Sequence, residues 1–357
     1  MKTHRRHLLG TLATIGAAAA VLGAPSVPAL ADPPGIHPPL AGVGSGTTQY
    51  VLDGLADSIQ PSGSMIIGSY DSTGPLLIQT RAVGSAFNRP NGSTAGVRAL
   101  TRSAVSDTWP QTTGESTTQV GIANQIDFAR SSRPPSEYGD DLTYIPFAQD
   151  AVTYAYSDHG YASVPLYLTP EDLAAIYRGT VTTFVDRNGV LRTYDPALPP
   201  LGSDARQYFL EYIGVTETQA SWILNVLPEN DGSQIDGIGE IMPFSVGSWI
   251  AQDNNVEPNT VAYNDVQLGA LDDYYWGVVL PVVDGAINPD FPARRLLFNV
   301  VQTSRLSGTS DLDVMLQNTF VGQQSYVCQS GSTITHYGFL TTPHCGNTTI
   351  FKSGYVY

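Results

Sequence analysis

Apolar positions along the chain recur with two periods, one that suits helices and one that suits strands. Val51, Leu52, Leu55 and Ile59 fall on one helical face, and Val97 and Leu100 stand three apart behind a polar loop. Leu173, Ile176 and Tyr177 predict a further helix. Thr169 caps it, Pro170 takes its first position, Glu171 and Asp172 fill its first turn and Gly179 ends it. Phe209, Leu210 and Ile213 predict another, closed by Gly214, and Thr216 caps a last one carrying Trp222, Ile223 and Val226. Between these, short apolar stretches at 65–70, 148–156, 241–250 and 296–301 predict strands, and 126–134 predicts a short strand ending in a polar turn. Helices alternating with short strands indicate an α/β fold with helix-covered sheets, and no internal repeat of 20–50 residues is present.

Three helix starts share one grammar. Gly42 to Thr48, Arg89 to Gly96 and Leu201 to Arg206 are each Gly/Ser-containing loops feeding an apolar-faced helix. Unpaired N–H groups and the positive end of the helix dipole make such a start suit an anion. Each Ser or Thr there also suffices as an ordinary helix cap.

Charge sharpens this picture. The 357-residue chain carries 17 Lys and Arg against 32 Asp and Glu, a formal net charge of -15. Such a surface repels nucleic acid and anionic lipid, so an anion site must act at short range through N–H groups and a few arginines. Arg89, Arg130, Arg133 and Arg206 all stand in or beside the candidate loops, and each could instead pair with one of the many acids. A hydrophobic content of 42 % with 14 % charged residues suits a folded protein long enough for two domains.

Residues 1–31 read as a signal peptide: Lys2, Arg5 and Arg6 precede an apolar, Ala-rich run, and Ala29-Leu30-Ala31 is an A-x-A cleavage site. The Arg5-Arg6 pair leaves general and twin-arginine export both open. The run is too short for a good membrane anchor, and no cysteine follows it for lipid attachment. The expectation is a secreted or periplasmic protein that is not integral to a membrane. Cys328 and Cys345 are the only cysteines and read as one disulfide, which would stabilise the C-terminal segment by roughly 3 kcal/mol; ligation of a metal with His336 or His344 is the alternative.

No G-x-S-x-G, H-E-x-x-H or Walker A pattern is present, nor a G-x-G-x-x-G with its expected acid. His159 and His344 read as loop residues, and Asp71 and Asp127 as turn or cap residues. A non-enzyme without catalytic residues, cofactor or metal is expected.

The loops in order resemble the phosphate-type solute-binding proteins of ABC transporters, in particular a secreted actinobacterial branch. Gly42 to Thr48 resembles the first binding loop and Arg89 to Gly96 the second. Residues 127–134 resemble the family's Asp-Phe-Gly-Ala-Ser-Asp-x-Pro turn, 168–186 its Leu-Thr-x-x-x-Leu segment, and Gly202 to Arg206 stands where the family has Gly-Ser-Gly-Thr. The resemblance implies a two-domain, type II periplasmic-binding-protein-like α/β fold. One domain would comprise 32–147 plus 263–357 and the other 148–262, with a ligand in the cleft between them.

By position, the resemblance implies that phosphate or a similar small oxyanion is held by Ser45, Gly46 and Thr47, by Arg89, Ser93 and Thr94, by Ser131 and Ser132, and by Ser203, Asp204 and Arg206. Two departures matter. The family's phosphate-accepting aspartate becomes Ser132, and its Gly-Ser-Gly-Thr becomes Gly202-Ser203-Asp204-Ala205. Asp204 either takes over the acceptor role from the facing domain or repels oxyanions, leaving the site to another ligand or to none. The expected function is an exported, monomeric solute-binding protein that serves an ABC permease. The alternative is an extracellular interaction module of the same fold with a degenerate site and no transport role.

Overall fold

The computed structural model describes residues 32, 33, 35–273 and 277–357. The leader expected at 1–31 lies outside the described residues. The first half of the chain forms β1 (Leu40–Gly44), α1 (Gln49–Ser58), β2 (Ile67–Ser69), α2 (Ser93–Ala104), β3 (Phe128–Ser131) and β4 (Leu142–Ser157). β1 lies parallel between β2 and β3, with Leu40 opposite Ile67 and Gly42 opposite Phe128. Its side chains divide by the two-residue period of a strand. Leu40 packs with Val51, Leu52 and Leu55 of α1, whereas Ala41 and Val43 pack with Val97 and Leu100 of α2. The two amphipathic helices therefore cover opposite faces of one sheet.

The second half adds α3 (Pro170–Tyr177), α4 (Asp204–Tyr212), β5 (Glu240–Ser245), α5 (Val246–Asp253), β6 (Val266–Leu268), β7 (Arg294–Gln302) and α6 (Asp311–Phe320). β4 is the common strand. β7 runs antiparallel to it from Ala151 back to Leu142 and also pairs with β3, while β5 and β6 pair with its far end. The pairing of β4 with β7 shifts where Leu297 faces Ala148 but Phe298 faces Pro146, leaving Phe147 as an extra residue. Pro146 has no N–H to give the ladder, so a bulge there costs little.

Among the described residues, the buried apolar side chains form four clusters, and β4 passes between the two largest, the first and second apolar bodies. Ile145, Phe147 and Ala148 pack with Phe128 and Phe320. Ala151, Val152 and Tyr154 pack with Leu173, Tyr177 and Phe209. The chain returns just before β7: Phe291 and Ala293 belong to the second body, Leu297 to the first.

Two sequence expectations are corrected. The helix behind Thr216 does not form. Thr216 and Gln219 exchange capping bonds of 2.9 and 3.2 Å, but the indole of Trp222 turns away to donate to the Tyr177 carbonyl at 3.0 Å, and the segment stays in turns. The strand expected at 241–250 ends at Ser245, whose Oγ accepts the Ser248 N–H at 3.1 Å and caps α5. The disulfide joins Cys328 to Cys345 with Cα atoms 5.8 Å apart, and Cys345 is packed in the first apolar body.

Candidate functional site

All three loop-and-helix starts meet at the ends of β1 and β3. A Cβ on Gly96 would stand 2.5 Å from the Gly44 Cα, so only a residue without a side chain lets α2 reach the end of β1. Gly92, at φ +85°, brings the same loop against the second apolar body: a Cβ there would stand 2.7 Å from the Gly202 carbonyl oxygen.

At this meeting point the donors hold an anion supplied by the chain itself. Ser93, first residue of α2, donates its backbone N–H and its hydroxyl to Asp204 Oδ2 at 3.2 and 2.5 Å. Ser132 N–H donates to Ser93 Oγ at 2.9 Å, and Ser45 Oγ donates to Ser132 Oγ at 3.2 Å. A second carboxylate lies alongside. Glu229 Oε1 accepts from Thr47 Oγ1 at 3.1 Å and from the Ala205 N–H, at the start of α4, at 3.2 Å. Ser203 caps α4, accepting from the Arg206 N–H at 3.2 Å. Ser45, Thr47, Ser93, Ser132, Ser203 and Asp204 are all buried. Asp204 Oδ1 is buried without a hydrogen-bond partner.

Arg295 fastens the arrangement. Its Nη1 donates to the Asp204 carbonyl at 3.1 Å, its Nη2 to Thr47 Oγ1 at 3.2 Å, and its Nε and Nη2 to Asp150 Oδ2 at 3.2 and 2.9 Å. Asp150 Oδ1 in turn accepts from Ser245 Oγ and the Gly247 N–H. Burial, followed by the Asp204 charge, raises the Glu229 pKa, and Arg295 opposes that shift.

Other expected residues point elsewhere. Arg89 forks onto both oxygens of Asp32 at 2.8 Å and donates to the carbonyls of Asp71 and Pro75. Arg206 pairs with Glu217 and donates to the Pro199 carbonyl. Ser131 Oγ closes a turn with the Arg133 carbonyl at 2.8 Å. Thr94 is half-buried at the second position of α2, and Gly46 borders the cavity described next. Arg130 is wholly buried and donates to the Ser45 and Tyr70 carbonyls and to Ser69 Oγ, so it braces the first loop from behind.

Arg295, Asp150 and Glu229 were not foreseen. For Asp150 a signal existed, because an ionisable residue inside the apolar run 148–156 needs a buried partner. Glu229 stands in a polar Pro-Glu-Asn-Asp stretch that carries no such signal.

Beside the cradle, between the two apolar bodies, lies a cavity of 470 Å³. Gly46, Gln49, Tyr50 and Ser72 line it from one side, and Ser203, Glu229, Asp231, Gln252 and Glu257 from the other. Among the described residues, no Lys, Arg or His lines it. No group of three or more His, Cys, Asp or Glu placed to hold a metal occurs among them, nor a helix long and apolar enough to cross a membrane.

Solved structures share this architecture. An ABC-type phosphate transport receptor from Vibrio cholerae superposes with a TM-score of 0.53 at 16% identity, over 85% of this chain and 100% of that one. A phosphate ABC transporter substrate-binding protein with bound phosphate from Clostridium perfringens gives 0.52 at 14% identity, over 85% and 99%. The chain has the fold of the phosphate-type solute-binding proteins. No family model matches the sequence, and no curated protein matches it.

Proposed function

We propose that the protein is an exported solute-binding protein that closes two lobes around a small polar ligand, with phosphate or a similar oxyanion competing with Asp204 for the cradle. One observation carries this reading: main-chain and hydroxyl donors at the start of α2 already hold a carboxylate. Carboxylate and phosphate oxygens ask for the same donors, and a helix start supplies them without net positive charge. The lobes are drawn by their apolar cores. We assign Leu271, Ile287, Phe291 and Ala293, which pack in the second apolar body, to the second lobe. α4 and its Asp204 already stand against α2, the contact that hinge closure would make.

Asp204 sets the terms of binding. A tethered carboxylate competes at an effective concentration on the order of millimolar or more, so a free oxyanion displaces it at a cost in affinity. Titration of the mature protein and of Asp204→Gly with phosphate, sulfate and arsenate in a calorimeter tests the reading. The variant is expected to bind phosphate at least about tenfold more tightly than the native chain. Heat from neither protein with any oxyanion would remove the oxyanion from the reading.

The same contact favours a second reading, in which Asp204 closes the cradle permanently and the protein acts outside the cell as an interaction module with no transport role. Silence of the native chain together with phosphate binding by Asp204→Gly would support it. Native protein in culture supernatant, with none on the envelope, would point the same way.

A further inference from the structure

We propose that the cavity beside the cradle is a second binding site, one that takes a small organic ammonium compound. The cavity is bounded by Glu229 and Asp231 from one loop and by Glu257 from another, and among the described residues no cationic side chain lines it. Glu257 carries the proposal. It is 6 % exposed, it lines the cavity, and its Oε1 is buried with no hydrogen-bond partner. An orphaned buried carboxyl oxygen is costly, and a donor brought by a ligand removes that cost.

Some oxygens of the other buried carboxylates in this region are answered from within the protein, although Asp204 Oδ1, in the cradle, is not. Asp150 has Arg295, Ser245 and Gly247; Asp204 Oδ2 has Ser93. Glu257 Oε1 likewise has no partner, and Glu257 lines the cavity. Burial, and then the charges of Asp150 and Asp71, push its carboxyl well above the ordinary range and so favour its neutral form. An ammonium group arriving there would favour the ionised form and gain a charge-assisted hydrogen bond. Gln49 and Gln252 on opposite walls, and the Tyr50 ring, supply polar and aromatic surface for the rest of such a molecule. The volume of 470 Å³ falls within the range of small-molecule pockets.

This inference does not rest on the oxyanion reading, because phosphate reports on the cradle and an amine on the cavity. The test uses the full mature chain and calorimetry with glucosamine, putrescine and choline, with glucose as the uncharged counterpart of glucosamine. At least one amine is expected to bind, and glucose to bind at least about tenfold more weakly than glucosamine. Glu257→Gln is expected to weaken amine binding at least about tenfold while leaving the far-ultraviolet circular dichroism unchanged. Asp231→Asn preserves the side-chain cap on Ser233 N–H and is expected to weaken it about threefold, which gives a second variant should Glu257→Gln misfold. No heat with any amine, glucose binding as tightly as glucosamine, or unchanged amine affinity in a folded Glu257→Gln or Asp231→Asn would overturn the proposal.

Discussion

The cradle and the cavity lie side by side between the same two apolar bodies, yet they are polar in opposite senses. The cradle gathers donors, and the protein answers them with its own Asp204 and Glu229 carboxylates. The cavity gathers acceptors, and the protein leaves the Glu257 oxygen unanswered. A strongly acidic chain supplies carboxylates wherever donors converge, but with 17 basic residues in all it has few cations to spare for its acceptors. The spot that looks like an anion site is thereby satisfied from within, and its neighbour is left wanting a donor.

The largest effect expected on this contrast comes from Arg295, which ties the cradle to β4. Arg295→Met leaves Asp150 buried without its charged partner, and about 3–5 kcal/mol of stability should be lost. The same change at the half-exposed Arg102, paired with Asp107 on the surface, should cost far less. Equal melting temperatures for the two variants would show that the cradle is not braced as described. Next in size is the disulfide. Replacing Cys328 and Cys345 by Ser should cost about 3 kcal/mol, and since the bridge touches neither site, ligand affinities should stay where they are.

Smaller, and specific to the cavity, is a dependence on pH. Glu257 is pushed up from its ordinary 4.5, so the folded chain keeps a proton there that the unfolded chain has released. Stability therefore falls as pH rises from about 4.5 toward the raised value, by about 1.4 kcal/mol for each unit of elevation. Asp71, raised to about 6 mainly by burial, acts in the same direction between 3.8 and about 6. Glu257→Gln removes the first contribution. Its melting temperature should match the native one near pH 4 and exceed it once pH rises above about 4.5; a gap that closes as pH rises would contradict the assignment.

Much of the fold could be read from local pattern. The apolar faces of α1, α2, α3 and α4 and the strands at β2 to β4 follow from spacing and caps, as in the Thr169–Asp172 capping box of α3, whereas Gly42 to Gly44, read as loop, belong to the strand β1. What failed was decided at longer range. Thr216 made its cap, yet Trp222 found the Tyr177 carbonyl and the helix stopped. The convergence of the three helix starts was legible, because Gly-rich loops before apolar-faced helices announce donors. Which side chains reach the meeting point was not. Arg89 and Arg206 stand in the right loops but turn to Asp32 and Glu217, and Arg295 comes from a strand 91 residues beyond Asp204. Sequence proximity places a backbone amide well, because the helix start fixes its direction. It places a long guanidinium poorly, because any acid within reach can claim it.

The central claim is that Asp204 occupies the position an oxyanion would take at the start of α2. A crystal structure of Asp204→Gly grown with phosphate measures this directly. A phosphate oxygen accepting from the Ser93 N–H and Ser93 Oγ, in place of Asp204 Oδ2, is the predicted result. Phosphate bound elsewhere, or a Ser93 amide turned to water or to another carboxylate with the cradle otherwise intact, would contradict it.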